Sequence, residues 1–459
     1  MPKTPIPTQP PSERAFLVGV EVKGKPGLLS VEDSLAELAL LADTAGLQVV
    51  GETYQKVARP DPNTFIGSGK VGEIKDFVEE TLADVIIFDD ELSPRHQREL
   101  EGILTETNDR VKLLDRTALI LDIFAQHAHT KEGSLQVELA QYEYRLPRLT
   151  RQWTHLSRQA GGGAGRGGNG GVGLRGPGET QLQIDRQEIT EHIVHLKKQL
   201  EKVRAHRQRY RAQRQRNAVP VVSIVGYTNA GKSTLLNALV GKDDVYTADQ
   251  LFATLDPTTR RVKLPGGRWA LFTDTVGFIQ KLPTTLVAAF RATLEEISEA
   301  DLLVHVVDVT HPNARQQIQA VQETLNELNV HDVPVALALN KADQLDDETR
   351  AMAQLHLGEL FDEGVRFSAL TGEGLADVLA RVEAELYATL TPLKLVIPYK
   401  HGQLISLFHE QAVVEHVEHL GDGVHLEGRV PERMVARFKP FTAKAKKNPQ
   451  SARRGTKDF

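Results

Sequence analysis

Apolar and polar positions divide the chain into blocks of different period. Over residues 15–129, the apolar runs 15–22, 47–54, 84–88 and 111–114 have the length of strands. The stretches between them, 31–45, 71–82 and 93–106, carry apolar residues at three- and four-residue spacing, the period of an amphipathic helix. Ser93-Pro94 opens the third stretch with a capping hydroxyl and a proline suited to a first turn. Strand–helix alternation of this kind predicts a parallel sheet covered by helices, at residues 15–130. The lead-in at 1–14 is proline-rich and lacks an apolar core, so it reads as disordered and not as a secretory signal.

The period changes at residue 131. Residues 131–160 read as helix, with Leu135, Leu139, Tyr142 and Leu146 on one side. Residues 161–176 hold ten glycines in sixteen positions, too much backbone entropy for a regular element. A second helical pattern covers 180–215 through Ile189, Ile193, Leu196, Leu200 and Val203. Two helices around a glycine-rich loop at 161–178 predict an antiparallel helical arm spanning 131–218. Strand–helix alternation returns over 219–390. The runs 221–226, 270–274, 302–308, 333–340 and 365–369 are apolar enough to be buried on both faces. Pro392 marks a boundary. Beyond it, 391–440 reads as a small α+β unit with strands at 411–417 and 423–429, and 441–459 as a basic tail. The expected fold class is multidomain α/β: an N-terminal parallel α/β domain, a helical arm, a second parallel α/β domain and a small C-terminal α+β domain.

Composition and charge sharpen this picture. The 459 residues include no cysteine, which excludes disulfides, thiolate zinc sites and cysteine nucleophiles and suits a reducing compartment. No apolar run nears the ~18 residues of a membrane helix. A formal charge of −6 argues mildly against a nucleic-acid partner, but it is unevenly distributed. Residues 145–217 carry sixteen Lys or Arg against five Asp or Glu, and residues 431–459 carry nine against two. Such islands fit a phosphate backbone. A solvated helix face and a frayed tail fit them equally.

The chemistry lies in the second α/β block. Gly226-Tyr227-Thr228-Asn229-Ala230-Gly231-Lys232-Ser233 has the G-x-x-x-x-G-K-S spacing, follows a predicted strand and opens, at Thr234, a predicted helix. Its glycines let backbone N–H groups curl around phosphate oxygens, and the helix N-terminus adds a positive dipole. Lys232 is expected on the β- and γ-phosphates and Ser233 on magnesium. Asp274-Thr275-Val276-Gly277 closes a strand with a carboxylate for magnesium, through water, and a glycine N–H for the γ-phosphate. Asn340-Lys341-Ala342-Asp343 closes another; a carboxylate at Asp343 accepts both N1 and N2 hydrogens of guanine, a pairing adenine lacks. Ser368-Ala369-Leu370 follows, placing a backbone N–H for guanine O6. Four motifs in order at strand ends resemble the translation-factor-related P-loop GTPases.

That resemblance implies a switch between the P-loop and Asp274. Phe252-Ala253-Thr254-Leu255-Asp256 is similar to the Obg-related pattern, in which Thr254 would be the magnesium ligand, with Thr258 the runner-up. Ras-like members place a glutamine after Asp-x-x-Gly to orient water; here Phe278 stands there, so the isolated protein is expected to hydrolyse GTP slowly. Asn229 occupies the position that holds potassium in potassium-activated relatives. It equally suits a tight turn.

Outside this block the resemblance narrows. Residues 115–126 (Asp-Arg-Thr-Ala-Leu-Ile-Leu-Asp-Ile-Phe-Ala-Gln), Leu135-Gln-Val-Glu-Leu-Ala-Gln and Gly176-Pro-Gly-Glu-Thr-Gln-Leu182, with the 252–256 and 274–278 segments, are similar to the HflX family from about residue 15 to 390. The family resemblance implies a GTPase that uses Mg2+, with K+ as a candidate, and binds ribosomes, chiefly the large subunit and its RNA. In several members it splits idle or stalled ribosomes. Arg148, Arg151, Arg158, Arg166 and Arg175 of the basic arm become the RNA-contact candidates, through phosphates more than bases. The expected protein is a cytoplasmic monomer without membrane insertion, meeting membranes only through ribosomes. Some members bind ATP N-terminally, and Thr64-Phe-Ile-Gly67-Ser-Gly69-Lys70 is a glycine-rich turn with a lysine, but it lacks the Walker spacing and reads better as a tight turn. The pairs His127/His129 and His416/His419 lack a partner cluster for a metal. Two rival readings remain: a GTPase of subunit maturation or RNA modification, and a nucleotide-independent RNA-binding adaptor.

Overall fold

The protein was analysed as a computed structural model that describes residues 12–24, 27–104, 111–149, 177–217, 219–241, 251–252, 257–281, 297–331, 333–388 and 390–442. The first sheet joins β1 (Arg14–Val22), β2 (Gln48–Val57), β3 (Val85–Phe88) and β4 (Lys112–Asp115) in the order β2-β1-β3-β4. Every pairing in it is parallel. Helices α1 (Val31–Thr44), α2 (Ser68–Thr81), α3 (Pro94–Leu104) and α4 (Arg116–His127) follow its strands in turn. α1 starts where Ser30 Oγ accepts the N–H of Asp33 at 3.0 Å, with Glu32 and Asp33 acidic in the first turn. α4 is the helix that periodicity missed. Leu119, Ile120, Leu121, Ile123 and Phe124 are all buried, and the exposed face is narrow, marked by Asp122 and Gln126 with alanines beside them.

α5 (Lys131–Arg145) begins at Thr130, whose hydroxyl accepts the Gly133 N–H at 3.0 Å. It packs on α6 (Pro177–Asn217) through Leu135, Leu139, Ile193, Leu196 and Leu200, residues that the spacing had selected. Glu138 meets His192 at 3.0 Å and Glu143 meets Lys197 at 2.8 Å. Both sets of partners advance in the same direction along the chain, so these stretches run parallel and not antiparallel as expected. Apolar spacing identifies the contacting faces but carries no direction. The chain between Arg145 and Pro177 is long enough to return to its starting end.

The second sheet has six strands: β5 (Val221–Gly226), β6 (Thr258–Lys263), β7 (Trp269–Asp274), β8 (Leu302–Asp308), β9 (Val335–Asn340) and β10 (Val365–Arg366). Their order is β10-β9-β8-β5-β7-β6. Only β6 is antiparallel to its neighbour, and it sets Thr258 opposite Asp274. β6 is an unexpected strand: within it only Val262 is buried, as suits a charged sheet edge. β10 is shorter than the expected 365–369 because the chain turns at Ser368, whose carbonyl accepts the Gly372 N–H at 2.9 Å. Helices α7 (Lys232–Val240), α8 (Ala314–Glu327), α9 (Asp347–Leu357), α10 (Glu359–Glu363) and α11 (Leu375–Leu386) complete the unit.

A third, antiparallel sheet joins β11 (Leu390–Ile397), β12 (Val413–Leu420) and β13 (Gly423–Pro431) in the order β11-β13-β12, with α12 (Gly402–Gln411) and α13 (Glu432–Phe438). Pro392 is the third residue of β11, whose start at Leu390 opens this sheet. β11 is an edge strand, where a missing N–H is tolerated. The first two sheets share a core. Leu35 and Leu38 of α1 and Phe124 of α4 pack with Tyr227, Phe252, Phe278 and Ile279. The Phe124 ring meets Phe252 edge-on at 4.6 Å. The N-terminal domain therefore rests on Tyr227 of the Gly226–Ser233 loop and on the segments at Phe252 and Phe278–Ile279.

Candidate nucleotide site

β5 ends in a loop that only particular residues can form. Gly226 has φ +150°, and a Cβ there would lie 2.2 Å from the Val306 carbonyl oxygen. Asn229 takes φ +59°, a left-handed turn that asparagine tolerates, and its side chain is exposed. At Gly231, φ is +91° and a Cβ would lie 2.1 Å from Asn340 Nδ2. The helix α7 then starts at Lys232, with Ser233 and Thr234 in its first turn. Lys232 Nζ donates to the Tyr227 carbonyl at 2.6 Å. Burial lowers its pKa to about 8, opposed by the charge of Asp274. Ser233 Oγ donates to Asp274 Oδ2 at 2.6 Å. A helix N-terminus, an ammonium, and a hydroxyl–carboxylate pair thus converge. The first two suit an anion, and the hard oxygens suit magnesium.

The other motifs close on the same edge. Asp274 is fully buried at the end of β7, and Thr275 Oγ1 donates to the Ile224 carbonyl at 2.6 Å. Val276 is buried. A Cβ at Gly277 would lie 2.8 Å from Thr228 Cγ2 and 3.1 Å from Lys232 Nζ, so this backbone passes directly beside the lysine. Phe278 is 2% exposed; its N–H donates to Gly226 at 3.1 Å and its carbonyl accepts the Thr228 N–H at 2.8 Å. Asn340 ends β9 and joins two loops: Nδ2 donates to the Ala230 carbonyl at 2.8 Å, and Oδ1 accepts the Ala369 N–H at 2.9 Å. Lys341 takes φ +66° and pairs with Asp308 at 2.7 Å. Ala342 and Asp343 form a 3-10 turn with Gln344. Ser368 Oγ accepts the Thr371 N–H at 3.1 Å, which fixes a loop whose Leu370 stands exposed. All four motifs meet beyond the carboxyl ends of a parallel sheet, where such folds take ligands.

Some expected contacts differ. Phe252 turns its ring into the shared core against Phe124, so its side chain packs and does not face the loop. Ala253, Thr254, Leu255 and Asp256 lie outside the described residues. Thr258 is a strand residue beside Asp274, and Thr259 bonds Thr273 at 2.9 Å. Arg148 is a correction to the RNA-contact set. Its guanidinium donates to Gln97 at 3.1 Å, to the Tyr144 carbonyl at 3.0 Å and to the Leu92 carbonyl at 2.6 Å, and it lies 3.6 Å over the Tyr144 ring. These internal acceptors occupy the donors that a phosphate would need. Arg151, Arg158, Arg166 and Arg175 lie outside the described residues.

In the N-terminal glycine turn, Lys70 is held by Thr53 at 3.0 Å and Glu73 at 2.7 Å, and the Gly67 N–H is held by Gln55 at 2.9 Å. These groups stabilise the turn in the way a phosphate cradle would need them free. Among the described residues no cluster of His, Asp and Glu could hold a metal ion. His127 bonds the Ile123 carbonyl at 2.8 Å, and His419 stacks on Tyr399.

One part of the site was invisible to motif reading. The Tyr227 hydroxyl, in the phosphate loop, donates to Glu37 of α1, and Arg116 of α4 donates to the same carboxylate and to Asp89. Burial and the Glu37 charge push the Tyr227 phenol up, so it remains a neutral donor. Arg116 and Asp89 are each 1% exposed. Removing one member of so buried an ion set costs about 3–5 kcal/mol.

A P-loop with these guanine-reading motifs on a six-stranded α/β sheet defines a P-loop GTPase. Family models match successive parts of the chain: GTP-binding GTPase N-terminal over residues 32–125, GTP-binding GTPase Middle Region over 127–214, 50S ribosome-binding GTPase over 221–341 and HflX C-terminal domain over 359–444. The chain is 44% identical over 402 residues to the GTPase HflX of Alkalihalophilus pseudofirmus, covering 88% of this chain and 89% of that protein. It is 42% identical over 429 residues to the GTPase HflX of Caldanaerobacter subterraneus subsp. tengcongensis, covering 94% of each. A GTP-binding protein of Sulfolobus solfataricus, solved with GDP, aligns at 24% identity with a TM-score of 0.39, covering 82% of this chain and 99% of that one. The chain belongs to the HflX family of GTPases. Its enzymatic activity is the hydrolysis of GTP to GDP and phosphate.

Proposed function

We propose that this GTPase is a ribosome-associated switch that acts on the large subunit and splits or rescues idle and stalled ribosomes. The observation that carries the reading is the match of residues 221–341 to a family described as 50S ribosome-binding. The basic balance of residues 145–217 supports an RNA partner. The protein acts as a cytoplasmic monomer and meets membranes only through ribosomes; no described helix is long and apolar enough to cross one.

Each motif then has a role. Asp343 and the Ser368-Ala369-Leu370 loop read guanine, and Asn340 fixes that loop against the P-loop. Lys232 neutralises charge that develops on the β- and γ-phosphates. Ser233, Thr254 and, through water, Asp274 would hold magnesium, which supplies further charge neutralisation when bound. The Gly277 N–H senses the γ-phosphate. Buried Phe278 has no group to orient water, so intrinsic hydrolysis is slow and the ribosome must reorganise the site. Loss of the γ-phosphate contacts after hydrolysis releases the protein.

Two measurements test this reading. GTP turnover is expected to rise on addition of purified large subunits, and sedimentation is expected to show intact ribosomes converted to subunits. Unchanged turnover with ribosomes present would favour the maturation or RNA-modification reading. Asn229, exposed on its left-handed turn, is the candidate potassium ligand in this reading. Ribosome-stimulated hydrolysis is therefore expected to be faster in KCl than in NaCl at equal ionic strength, and Asn229→Ala to abolish the difference. Equal rates for the unsubstituted protein would remove potassium from the mechanism.

A further inference from the structure

The carboxylate assigned to guanine is placed by a backbone turn. Asp343 is exposed, so its backbone, more than packing around its side chain, sets its direction. It lies in the 3-10 turn Ala342–Gln344, which starts from Lys341. Lys341 has φ +66°, the left-handed region that brings a Cβ too close to the following carbonyl. The hydrogen bonds of the turn involve its neighbours: the Ala342 N–H donates to the Phe367 carbonyl at 3.1 Å, and the Gln344 N–H donates to the Lys341 carbonyl at 3.0 Å. The Lys341 side chain adds a separate anchor. Its Nζ meets Asp308 Oδ2 at 2.7 Å, with the lysine side chain 27% and the aspartate side chain 13% exposed.

The acceptor of that pair is itself fixed. Asp308 is the last residue of β8 and lies in register with Asn340, the last residue of β9. The Val309 N–H donates to the Asn340 carbonyl at 3.1 Å and ties the two strand ends together. Asp308 Oδ1 accepts the Thr310 N–H at 3.0 Å and the Thr310 hydroxyl at 2.6 Å. These bonds orient the carboxylate so that Oδ2 faces Lys341. Because the aspartate is already held, forming the pair costs the side-chain freedom of the lysine alone. Among the described residues the Asp308 carboxylate bonds Thr310 and Lys341, and no group of the phosphate loop.

We propose that Asp308 is a positioning residue for guanine: by holding Lys341 in its left-handed turn it presents the Asp343 carboxylate to the base. It acts alike on GDP and GTP, which share that base, and leaves the phosphate chemistry to Lys232, Ser233 and Asp274. Without the pair, Lys341 relaxes toward right-handed backbone, and the turn that carries Asp343 rotates with it. The inference rests on the base-reading role of Asp343 and not on the ribosome role. Failure of that role would show as an unaltered base preference in Asp343→Asn, whereas the test below reads the affinity common to both guanine nucleotides.

The test uses the full chain, the dissociation constants of GDP and of a non-hydrolysable GTP analogue, and single-turnover hydrolysis at saturating GTP. Asp308→Asn keeps an acceptor for Thr310 but offers Lys341 no charge. It is expected to weaken both nucleotides together by about fivefold, the upper end for a partly exposed ion pair. The cost is expected in affinity and not in the rate at saturating GTP. Glycine takes left-handed backbone without strain. In a Lys341→Gly background, Asp308→Asn is therefore expected to cost nothing further, and Lys341→Asn, which also tolerates that region, supplies a second cycle with a side chain in place. A purely structural role at the end of β8 lowers affinity by the same factor in every background. An equal cost in the Lys341→Gly and Lys341→Asn backgrounds, unchanged affinities in Asp308→Asn, or slowed hydrolysis at unchanged affinity overturns the proposal.

Discussion

Lys232→Ala lowers GTP hydrolysis at least about 100-fold and leaves the chain folded. The activity loss follows from the site: loss of one preorganised donor to developing charge costs about 10²–10³ in kcat, and the glycine-bounded loop offers no other ammonium at that place. The fold survives for a separate reason. Lys232 is 7% exposed, and its ammonium donates to a backbone carbonyl at 2.6 Å, a poor exchange for water. Burial holds its pKa near 8, which records that strain on the charged form. His305, buried on β8, is held to a pKa of about 4 by burial and then by the lysine charge. Alanine removes the buried charge and favours a helix start. Thermal unfolding is expected at or above the parent temperature, while single-turnover hydrolysis collapses. Retention of activity within a few-fold would transfer the function to a nucleotide-independent adaptor.

How much of this was legible before the structure depended on where partners lie along the chain. The phosphate loop, Asp274-x-x-Gly277 and Asn340-x-x-Asp343 are local spacings at the ends of apolar strands, and sequence order exposes them. Arm packing through Leu135, Leu139, Ile193, Leu196 and Leu200 was legible as spacing, whereas the parallel direction was not, because a stripe has no polarity. α4 was hidden by the narrowness of its polar face, which only Asp122 and Gln126 mark, and β6 by its charge. The link between the two α/β domains had no sequence signal. Tyr227 meets Glu37 across 190 residues and Gln280 meets Ser34 across 246. Neither pair is spaced on a helix face or a strand face, so only tertiary packing brings them together. Arg148 failed as an RNA candidate for a related reason: basic composition does not reveal an internal set of carbonyl acceptors.

Asp343→Asn is expected to weaken GTP binding by about 10²–10⁴ while xanthosine triphosphate becomes the preferred nucleotide. The carboxylate at 343 is the proposed acceptor of two guanine hydrogens, and hydrogen bonds to a charged group contribute about 1.5–3 kcal/mol each. An amide offers one acceptor and one donor, so N1–H or N2–H of guanine faces a donor; the xanthine carbonyl at that place accepts it. The surroundings should hold still during this exchange. Asp343 sits in a short 3-10 turn, while the neighbouring Ser368-Ala369-Leu370 loop is secured by Asn340 and by Thr371, neither of which the substitution touches. Titration of the variant with both triphosphates gives the result. Equal loss for both would mean that residue 343 supports the turn without reading the base. Asn340→Ala separates the alternatives further: it frees the Ala230 carbonyl and the Ala369 N–H together, and is expected to weaken both nucleotides without reversing their order.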